Sequence, residues 1–284
     1  MNVKLGWGLM RLLVTGGCGF IGSNFISIAL KKKIRIINID NLTYASKNYK
    51  NHPNDKNYKF FKLNILDEKK ILKILNKFKP DGIIHFAAET HVDRSIKNPE
   101  IFFKSNTIGT LRLLNACRIF LNRNKNKKFR FINVSTDEVY GSLTIKEKSF
   151  SEKNKFFPNS PYSASKASSD HIARAFFRTY KMPIITTNCS NNYGPNQYRE
   201  KLIPLIIHNA LKKKKLPIYG NGKQIRDWLY VGDHCNAILK IFYKGKVGEV
   251  YNIGGQNEIR NLDLVKKICI ILDKKMNLNK KEDS

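Results

Sequence analysis

The chain lacks long apolar segments. None of its hydrophobic runs reaches the length of about 20 residues that a helix needs to cross a membrane. The lead over 1–10, ahead of the first apolar strand, is too short for a secretory signal peptide. Both absences favour a protein without a membrane anchor. At 284 residues and 42% hydrophobic content, the chain is still long enough to bury a substantial core.

The sequence is also poor in cysteine. Its five cysteines are scattered and form no zinc-binding pattern, so we predict no metal site. Cys18 lies inside a glycine-rich loop, which suggests a reducing compartment. We therefore expect a cytoplasmic location.

Acidic residues are scarce relative to basic ones. There are 22 Asp and Glu against 52 Lys and Arg, which gives a formal net charge of +30. Basic tracts over 31–33, 125–128 and 212–215 could attract nucleic acid electrostatically. The excess is lysine rather than arginine, however, and it is spread over the whole chain together with heavy use of Asn and Ile. Compositional bias explains this pattern better than nucleic-acid binding, which stays the weaker alternative.

Apolar strands alternate with helices along the first two thirds of the chain. This alternation predicts an α/β fold, a Rossmann-type doubly wound parallel sheet with helices on both faces. We predict an NAD-binding Rossmann domain over 1–189 and a small substrate-binding lobe over 190–284, with some segments of the lobe returning to the first domain. The predicted strands cover 11–15, 34–39, 58–63, 82–87, 129–134 and 183–189. The first predicted helix follows the glycine-rich loop and ends at about residue 30. The other predicted helices cover about 68–78, 99–121 and 162–180.

The first strand runs directly into a glycine-rich loop and a helix. Gly16, Gly19 and Gly22 would provide the tight turn, the close backbone approach to a pyrophosphate and the close helix packing that a dinucleotide requires. The second strand ends in Asp40, whose carboxylate suits the ribose hydroxyls of NAD and would repel a 2′-phosphate. Strand, glycines, helix, strand and acid in this order predict an NAD site in preference to NADP.

A second group of polar residues follows the strand over 129–134. Asp137 and Glu138 come directly after Thr136, and crowded carboxylates tend to have their pKa values pushed apart, which gives one acid and one base. Tyr162 and Lys166 are four residues apart on a predicted helix and share a face. The ammonium group can therefore stabilise a phenolate and lower the pKa of Tyr162. This is more acid–base equipment than hydride transfer alone requires, so we expect a second proton-moving step.

Four polar segments fall at the carboxyl ends of predicted strands. They are the glycine-rich loop and the segments over 87–90, 136–138 and 191–193. Ligands of open parallel sheets bind at this edge. The sequence therefore predicts a single active site there.

These residues closely resemble the extended short-chain dehydrogenase/reductase family and, within it, the nucleotide-sugar dehydratases. The resemblance covers about 11–272. The Thr-Asp-Glu triplet at 136–138 separates these dehydratases from sugar epimerases that keep only the tyrosine and the lysine. The most specific matching segments are DNLTYA at 40–45, HFAAETHVDRSI at 85–96, STDEVYG at 135–141, NNYGP at 191–195, EKLIP at 200–204, RDWLYV at 226–231 and YNIGG at 251–255.

The resemblance implies a lyase of deoxysugar biosynthesis that converts dTDP-glucose to dTDP-4-keto-6-deoxyglucose with NAD as a cofactor and no net consumption of it. Tyr162 would take the proton of the C4 hydroxyl while hydride leaves C4 for NAD, and Lys166 would lower the pKa of Tyr162 and hold the ribose. Glu138 would remove the C5 proton, Asp137 would protonate the departing C6 hydroxyl, and hydride would return to C6. Thr136 would hydrogen-bond the sugar oxygen at C4. Another nucleotide-sugar dehydratase or an epimerase of the same family is the alternative.

The resemblance also implies two sets of binding residues. Besides Tyr162 and Lys166, the positions implied to contact NAD are Gly16, Gly19, Phe20, Ile21, Gly22, Asp40, Asn41, Leu42, Thr43, Asn64, Ile65, Phe86, Ala87, Ala88, Glu89, Thr90, Ser105 and Asn192. The positions implied to hold the nucleotide sugar are Thr90, Thr136, Asn191, Lys201, Leu202, Pro217, Ile218, Tyr219, Arg226 and Asn261. Lys201 and Arg226 are chemically suited to a diphosphate.

The sequence departs from the family pattern at three places. Asn64 stands where the family usually has an Asp that contacts adenine, and Asn196 and Arg199 alter the loop before Lys201. After Leu272 the chain has no counterpart of the Asp-Arg-Pro-Gly-His segment that clasps the diphosphate in the family, so we expect a shortened substrate lobe. This departure leaves a non-catalytic NAD-binding remnant as a further alternative. The family usually forms a homodimer through two long helices, and we expect the same here.

Overall fold

The computed structural model describes residues 10–46, 55–124, 126, 128–144, 147–218 and 220–282, and the side chains of this set up to residue 276. Three features singled out in the sequence lie outside these residues. They are most of the lead over 1–10, Lys125 and Lys127 of one basic tract, and Tyr219.

Ten strands occur in the described part of the chain, and they form two sheets. The strands are β1 (Arg11–Thr15), β2 (Arg35–Asp40), β3 (Tyr58–Lys62), β4 (Gly82–His85), β5 (Arg130–Thr136), β6 (Ile184–Cys189), β7 (Asn191–Tyr193), β8 (Ile225–Tyr230), β9 (Val250–Ile253) and β10 (Glu258–Arg260). Seven strands build a parallel sheet in the order β3-β2-β1-β4-β5-β6-β9. In the second sheet, of order β10-β8-β7, β8 pairs parallel with β7 and antiparallel with β10.

Helices connect most of these strands. They are α1 (Phe20–Lys31), α2 (Glu68–Phe78), α3 (Val92–Lys97), α4 (Pro99–Phe102), α5 (Gly109–Arg123), α6 (Pro161–Tyr180), α7 (Leu202–Leu211), α8 (Val231–Lys244) and α9 (Asn261–Glu282). A π-helical segment (Phe103–Ile108) joins α4 to α5, and short 3-10 turns cover Tyr44–Ser46 and Asp137–Tyr140.

Both faces of the large sheet carry a buried apolar core. Leu12 packs with Phe25 of α1 and Ile238 of α8 on one face. Its neighbour Leu13 packs with Leu75 of α2 and with residues of α5 and α6 on the other face. Successive strand residues point to opposite faces, so an uninterrupted apolar strand feeds both cores. The predicted Rossmann-type doubly wound sheet is confirmed.

Most predicted elements occur close to their expected bounds, with three differences. The strand predicted over 82–87 ends at His85, and the strand predicted over 129–134 continues to Thr136 because Ser135 and Thr136 remain paired with β6. The helix predicted over 99–121 is divided by the π-helical segment, in which the Asn106 side chain accepts the Glu89 N–H. Such irregular turns are frequent at functional sites.

The C-terminal third contributes to two structural units. Helices α7 and α9 pack on each other around Ile206, Val265 and Ile268, in a cluster separate from the two cores of the large sheet. Strand β9, in contrast, pairs with β6 and completes the edge of that sheet. The division of the chain into domains at residue 189 stays a prediction. In the described ranges, no helix combines the length and the apolar character needed to cross a membrane.

Candidate active site

A cavity of about 710 Å³ opens at the carboxyl ends of the strands of the large sheet. Its wall includes the glycine-rich loop after β1, the segment after β4, the end of β5 and the segment after β6. Parallel strands end at a common edge, so loops that are far apart in sequence meet there. The four polar segments at predicted strand ends thus line one cavity.

Close backbone contacts shape the glycine-rich loop. Gly16 has a φ of +70° and donates its N–H to the Ile39 carbonyl at 2.9 Å. A Cβ at Gly16 would lie 2.5 Å from the backbone nitrogen of Ala87. Gly19 precedes α1 and offers no side chain to cap the first turn of this helix. Uncapped N–H groups at a helix N-terminus attract anions, so the loop fits a diphosphate.

The Asp40 carboxylate is held firmly at the end of β2. Its Oδ2 accepts the Cys18 N–H at 2.9 Å, and its Oδ1 accepts the Leu42 N–H at 2.8 Å and the Ser46 hydroxyl at 3.3 Å. Leu42 therefore contributes a backbone group to this arrangement. A carboxylate at this place fits ribose hydroxyls and repels a 2′-phosphate.

Tyr162 and Lys166 lie in the first two turns of α6, and both are buried. Lys166 Nζ donates to the Val134 carbonyl at 2.8 Å. Burial and the Glu138 carboxylate raise the pKa of Tyr162 well above its usual value. The lowering of this pKa by Lys166 stays a prediction.

Asp137 and Glu138 form the first turn after β5. The Thr136 hydroxyl accepts the Glu138 N–H at 3.3 Å and donates to Asp137 Oδ1 at 3.3 Å. Burial raises the pKa of Asp137 to about 7, and the Glu138 carboxylate adds to this rise. Burial also raises the pKa of Glu138, but Arg226 and Lys201 oppose the rise. Asp137 therefore keeps its proton up to about pH 7, whereas Arg226 and Lys201 favour the ionised form of Glu138.

A chain of buried hydrogen bonds supports the wall behind the cavity. His85 lies 2.7 Å from Thr15 Oγ1 and 2.9 Å from Thr110 Oγ1. Thr110 donates its own proton to the Asn106 carbonyl, so its oxygen accepts from His85 Nε2. Burial lowers the pKa of His85 to about 3 and keeps the ring neutral. The Asn106 side chain bonds both the N–H and the carbonyl of Glu89, which fixes this part of the wall.

An ion pair crosses the rim of the cavity. Arg94 Nη2 lies 3.0 Å from Glu200 Oε2, and the same guanidinium lies 3.6 Å from the centre of the Tyr44 ring. Lys201 Nζ donates to the Thr90 carbonyl at 3.1 Å. These contacts hold the 200–201 segment against α3 and against the loops after β2 and β4.

Most of the residues predicted from the sequence are brought together in this cavity. Leu42, Asp137, Pro217 and Ile218 are outside its wall, and Tyr219 is outside the described residues. The functional roles of all these residues stay predictions. The predicted residues that line the cavity are Gly16, Gly19, Phe20, Ile21, Gly22, Asp40, Asn41, Thr43, Asn64, Ile65, Phe86, Ala87, Ala88, Glu89, Thr90, Ser105, Thr136, Glu138, Tyr162, Lys166, Asn191, Asn192, Lys201, Leu202, Arg226 and Asn261.

Several lining residues escaped the sequence reasoning. Glu200 is the carboxylate nearest in sequence to Lys201, and its position inside the EKLIP segment was a usable signal. Trp228 lies two residues after Arg226 on β8, where the period of a strand places both on one face. Cys189 is the last residue of β6, which is buried throughout, and no feature of the sequence indicated that it lines the cavity. Tertiary packing alone brings it to the wall.

The sheet order, the glycine-rich loop at a helix N-terminus and the Tyr–Lys pair facing one cavity define the extended short-chain dehydrogenase/reductase class. A family model described as GDP-mannose 4,6 dehydratase matches residues 13–284. The chain belongs to these nucleotide-sugar 4,6-dehydratases, in the branch of the dTDP-glucose 4,6-dehydratases.

Curated relatives support this placement. The chain is 50% identical over 266 residues to dTDP-glucose 4,6-dehydratase from Xanthomonas campestris pv. campestris, a match that covers 92% of the chain and 76% of the relative. It is also 50% identical over 278 residues to dTDP-glucose 4,6-dehydratase from Escherichia coli, with 93% and 77% covered.

Solved structures share the fold. A crystal structure of dTDP-glucose 4,6-dehydratase from Bacillus anthracis in complex with NAD matches with a TM-score of 0.83 and 47% identity, over 93% of this chain and 81% of that one. A UDP-glucose 4-epimerase from Thermotoga maritima, solved with UDP-glucose, also matches with a TM-score of 0.83, but at 30% identity, over 91% and 81%. The fold is therefore common to dehydratases and epimerases, and the side chains of the site must distinguish them.

Proposed function

We propose that this protein catalyses the dehydration of dTDP-glucose to dTDP-4-keto-6-deoxyglucose with NAD as its cofactor. The observation that carries this proposal is the position of Asp137 and Glu138 on the turn after β5, close enough to Tyr162 to raise the pKa of its hydroxyl. Oxidation at one carbon needs a single base. Removal of water from two further carbons needs an acid and a second base, which this pair supplies.

The residues of the loop and of the neighbouring strands fit NAD. The N–H groups at the start of α1 would hold its diphosphate, and Asp40 would hold a ribose. Asn64, which lines the cavity in place of the usual Asp, can still accept a hydrogen bond from adenine through its amide oxygen. When bound, NAD supplies the hydride acceptor for C4 and the hydride donor for C6.

Tyr162 acts as the first base in this proposal. It takes the proton of the C4 hydroxyl, and the positive charge of Lys166 stabilises the phenolate that remains. Thr136 would hydrogen-bond the oxygen at C4, a role supported by its place in the cavity wall together with Glu138. The resulting C4 ketone makes the proton on C5 more acidic.

Glu138 and Asp137 then carry out the elimination. Glu138 removes the C5 proton, because the nearby Arg226 and Lys201 favour its carboxylate form. Asp137 donates a proton to the departing C6 hydroxyl, because burial and Glu138 keep it protonated to about pH 7. Lys201 and Arg226 would also pair with the diphosphate of the nucleotide sugar, together with Asn191, Leu202 and Asn261 in the same wall.

Turnover of dTDP-glucose in the presence of NAD tests the proposal directly. Purified protein incubated in deuterated water should yield a product with the alkali-induced absorbance of a 4-keto-6-deoxy sugar and with deuterium at C5. An epimerase would return a 4-hydroxy sugar without deuterium at C5. Failure of saturating substrate to exchange deuterium at C5 would disprove dehydration.

We also propose that two copies of the chain associate through the helices at the α5–α6 side. Phe103 and Ile108 of the π-helical segment are 38% and 41% exposed, and Tyr180 at the end of α6 is 49% exposed. Exposed apolar groups on adjoining helices favour contact with a second protein surface. Sedimentation velocity should give the mass of two chains, and Ile108→Lys should shift the measured mass towards that of one chain.

A cytoplasmic location stays a prediction from the use of cysteine.

A further inference from the structure

Lys166 is a deeply buried cation. The residue is 4% exposed, and its Nζ donates to a backbone carbonyl, that of Val134. Removal from water favours the neutral amine, so burial lowers the pKa of Lys166. A neutral amine would not stabilise a phenolate on Tyr162. Lys166 therefore needs a negative group close by to remain a cation.

Asp170 provides such a group. It follows Lys166 by four residues on α6, which places both side chains on one face of the helix, and it is the strongest influence that opposes the fall in the Lys166 pKa. Asp170 is itself 3% exposed, and its Oδ1 accepts the Nδ2 proton of Asn133 at 2.8 Å. Burial raises the pKa of Asp170 to about 7 and Lys166 limits this rise, so the carboxyl ionises as the pH rises through neutrality. Each member of the pair thus favours the ionised form of the other.

Asp170 is also one of the residues that line a second cavity. This cavity has a volume of about 430 Å³ and shares no lining residue with the first one among the residues the structure describes. Oδ1 of Asn133, whose Nδ2 donates to Asp170, is buried without a hydrogen-bond partner within the described ranges. Buried polar atoms of this kind are usually bridged by ordered water. The second cavity therefore reaches Asp170 from a side of the sheet that is separate from the substrate cavity.

We propose that Asp170 is a positioning residue for the reaction, which holds Lys166 in its charged form. The inference rests on the proposed function, because that function gives the charge of Lys166 its role. Asp170 is outside the wall of the substrate cavity and acts through Lys166 alone.

Other ionisable groups surround the carboxyl. Apart from Lys166 and Asp170, these groups include two cations and two carboxylates, whose formal charges cancel. Asp170 is therefore left as the counter-charge of Lys166. The titratable and charged groups around Asp170 are Lys166, four residues earlier on α6, and the residues that line the second cavity with Asp170, which are His171 and Arg174 from α6, Tyr140 from the 3-10 turn after β5, Glu152 and Lys155 from the segment before α6, and Glu249 from the segment before β9.

The pKa of Lys166 tests the inference without any substrate. The protein is prepared with lysine labelled with 13C at Cε, and the Lys166 resonance is assigned by its loss in Lys166→Met. In Asp170→Asn we expect the pKa of Lys166 to fall by about 1 to 3 units, the range for loss of a neighbouring opposite charge. The matched control is Asp233→Asn, which removes the same charge from the exposed first turn of α8. A fall no larger than in the control would overturn the inference.

A second measurement covers the case in which Asp170→Asn does not fold. Coupling between two sites is reciprocal, so Lys166→Met should raise the pKa of Asp170, followed by a 13Cγ aspartate label and assigned by its loss in Asp170→Glu. An Asp170 pKa that is the same in wild type and Lys166→Met would contradict the coupling.

Kinetics link the pair to the reaction. Asp170→Asn should move the alkaline limb of the kcat profile, where Lys166 loses its proton, to lower pH and leave the KM for dTDP-glucose within about twofold, and Asp170→Glu should restore the wild-type limb. If the wild type turns over normally and the limb of the kcat profile is unchanged in Asp170→Asn, this inference is contradicted and the proposed function is not. If the wild type makes no keto product, the proposed function is contradicted instead. The NMR titrations still decide whether Asp170 controls the charge of Lys166.

Discussion

At the scale of single residues, the two adjacent carboxyl groups after β5 have different surroundings. Asp137 is outside the cavity wall and close to the negative Glu138, whereas Glu138 faces the cavity beside Arg226 and Lys201. Adjacent residues on a turn point in different directions, so their side chains have different electrostatic surroundings. This difference is the physical basis for one acid and one base.

Variants of the two carboxyl groups should separate oxidation from elimination. In Glu138→Gln and Asp137→Asn, hydride should still leave the substrate, because Tyr162 and Lys166 are unchanged. The later steps should slow by about 100- to 10,000-fold, the usual contribution of a positioned acid or base. Rapid mixing with dTDP-glucose should then show accumulation of reduced nicotinamide by absorbance. Tyr162→Phe serves as the control, since it should accumulate none, and equal product formation in all three variants would contradict the assignment.

The raised pKa of Asp137 predicts a pH effect on stability. The unfolded carboxyl ionises from about pH 4, whereas the folded one keeps its proton to about pH 7. The unfolded state therefore gains ionisation free energy first, and the wild type should lose stability relative to Asp137→Asn as pH rises between these values. Urea unfolding of both proteins across this range measures the difference. A difference that stays constant with pH would show that the folded pKa is not raised.

At the scale of elements, the starts of α1 and α6 place the functional groups. Ser160 and Ser163 cap α6 reciprocally, with Ser160 Oγ accepting the Ser163 N–H and Ser163 Oγ accepting the Ser160 N–H, both at 3.0 Å. Pro161 opens the helix, and Tyr162 follows in the same turn. Capping of this kind holds a first turn in place. Helix α1, in contrast, starts without a side-chain cap, and this leaves its N–H groups for a diphosphate.

Two glycines of the first loop should respond differently to alanine. Gly16 has a positive φ and its Cβ would lie 2.5 Å from Ala87 N, whereas a Cβ at Gly19 would come no closer than 3.4 Å to Gly16 O. Gly16→Ala should therefore cost about 1 to 3 kcal/mol of unfolding free energy, and Gly19→Ala much less. Urea unfolding without cofactor measures both. Equal stability of the two variants would show that the backbone of Gly16 adapts freely.

At the scale of the whole molecule, the charge of the chain is its most unusual property. The excess of Lys and Arg over Asp and Glu is 30 residues, and several basic groups in the described part are engaged locally, as Arg94 is with Glu200 and Tyr44. A diffuse positive field attracts any polyanion weakly, whereas specific recognition requires a built surface.

Binding to duplex DNA should accordingly be weak and sensitive to salt. We expect association at low ionic strength that disappears near 150 mM salt, because counterion release supplies the affinity. A mobility-shift titration at two salt concentrations measures it. Micromolar binding that persists at physiological salt would revive nucleic acid as a functional partner.

The sequence alone was sufficient for the elements and for the chemistry carried by short motifs. Runs of apolar residues set strands such as Arg11–Thr15 and Ile184–Cys189, and helical spacing puts Tyr162 and Lys166 on one face. Glycines at 16, 19 and 22 indicate the dinucleotide loop. These features depend on backbone periodicity and on residue type, both of which can be read from neighbouring positions.

Tertiary structure decided what lies across from each of these groups. Glu200 contacts Arg94 across 106 positions of sequence, Asn106 lies in a π-helical segment and bonds Glu89, and burial gives Asp137 and Asp170 their raised pKa values. A pKa depends on distance and solvent access in three dimensions. The identity of a residue and of its neighbours in sequence contains neither quantity, so these properties could emerge only when the chain was packed.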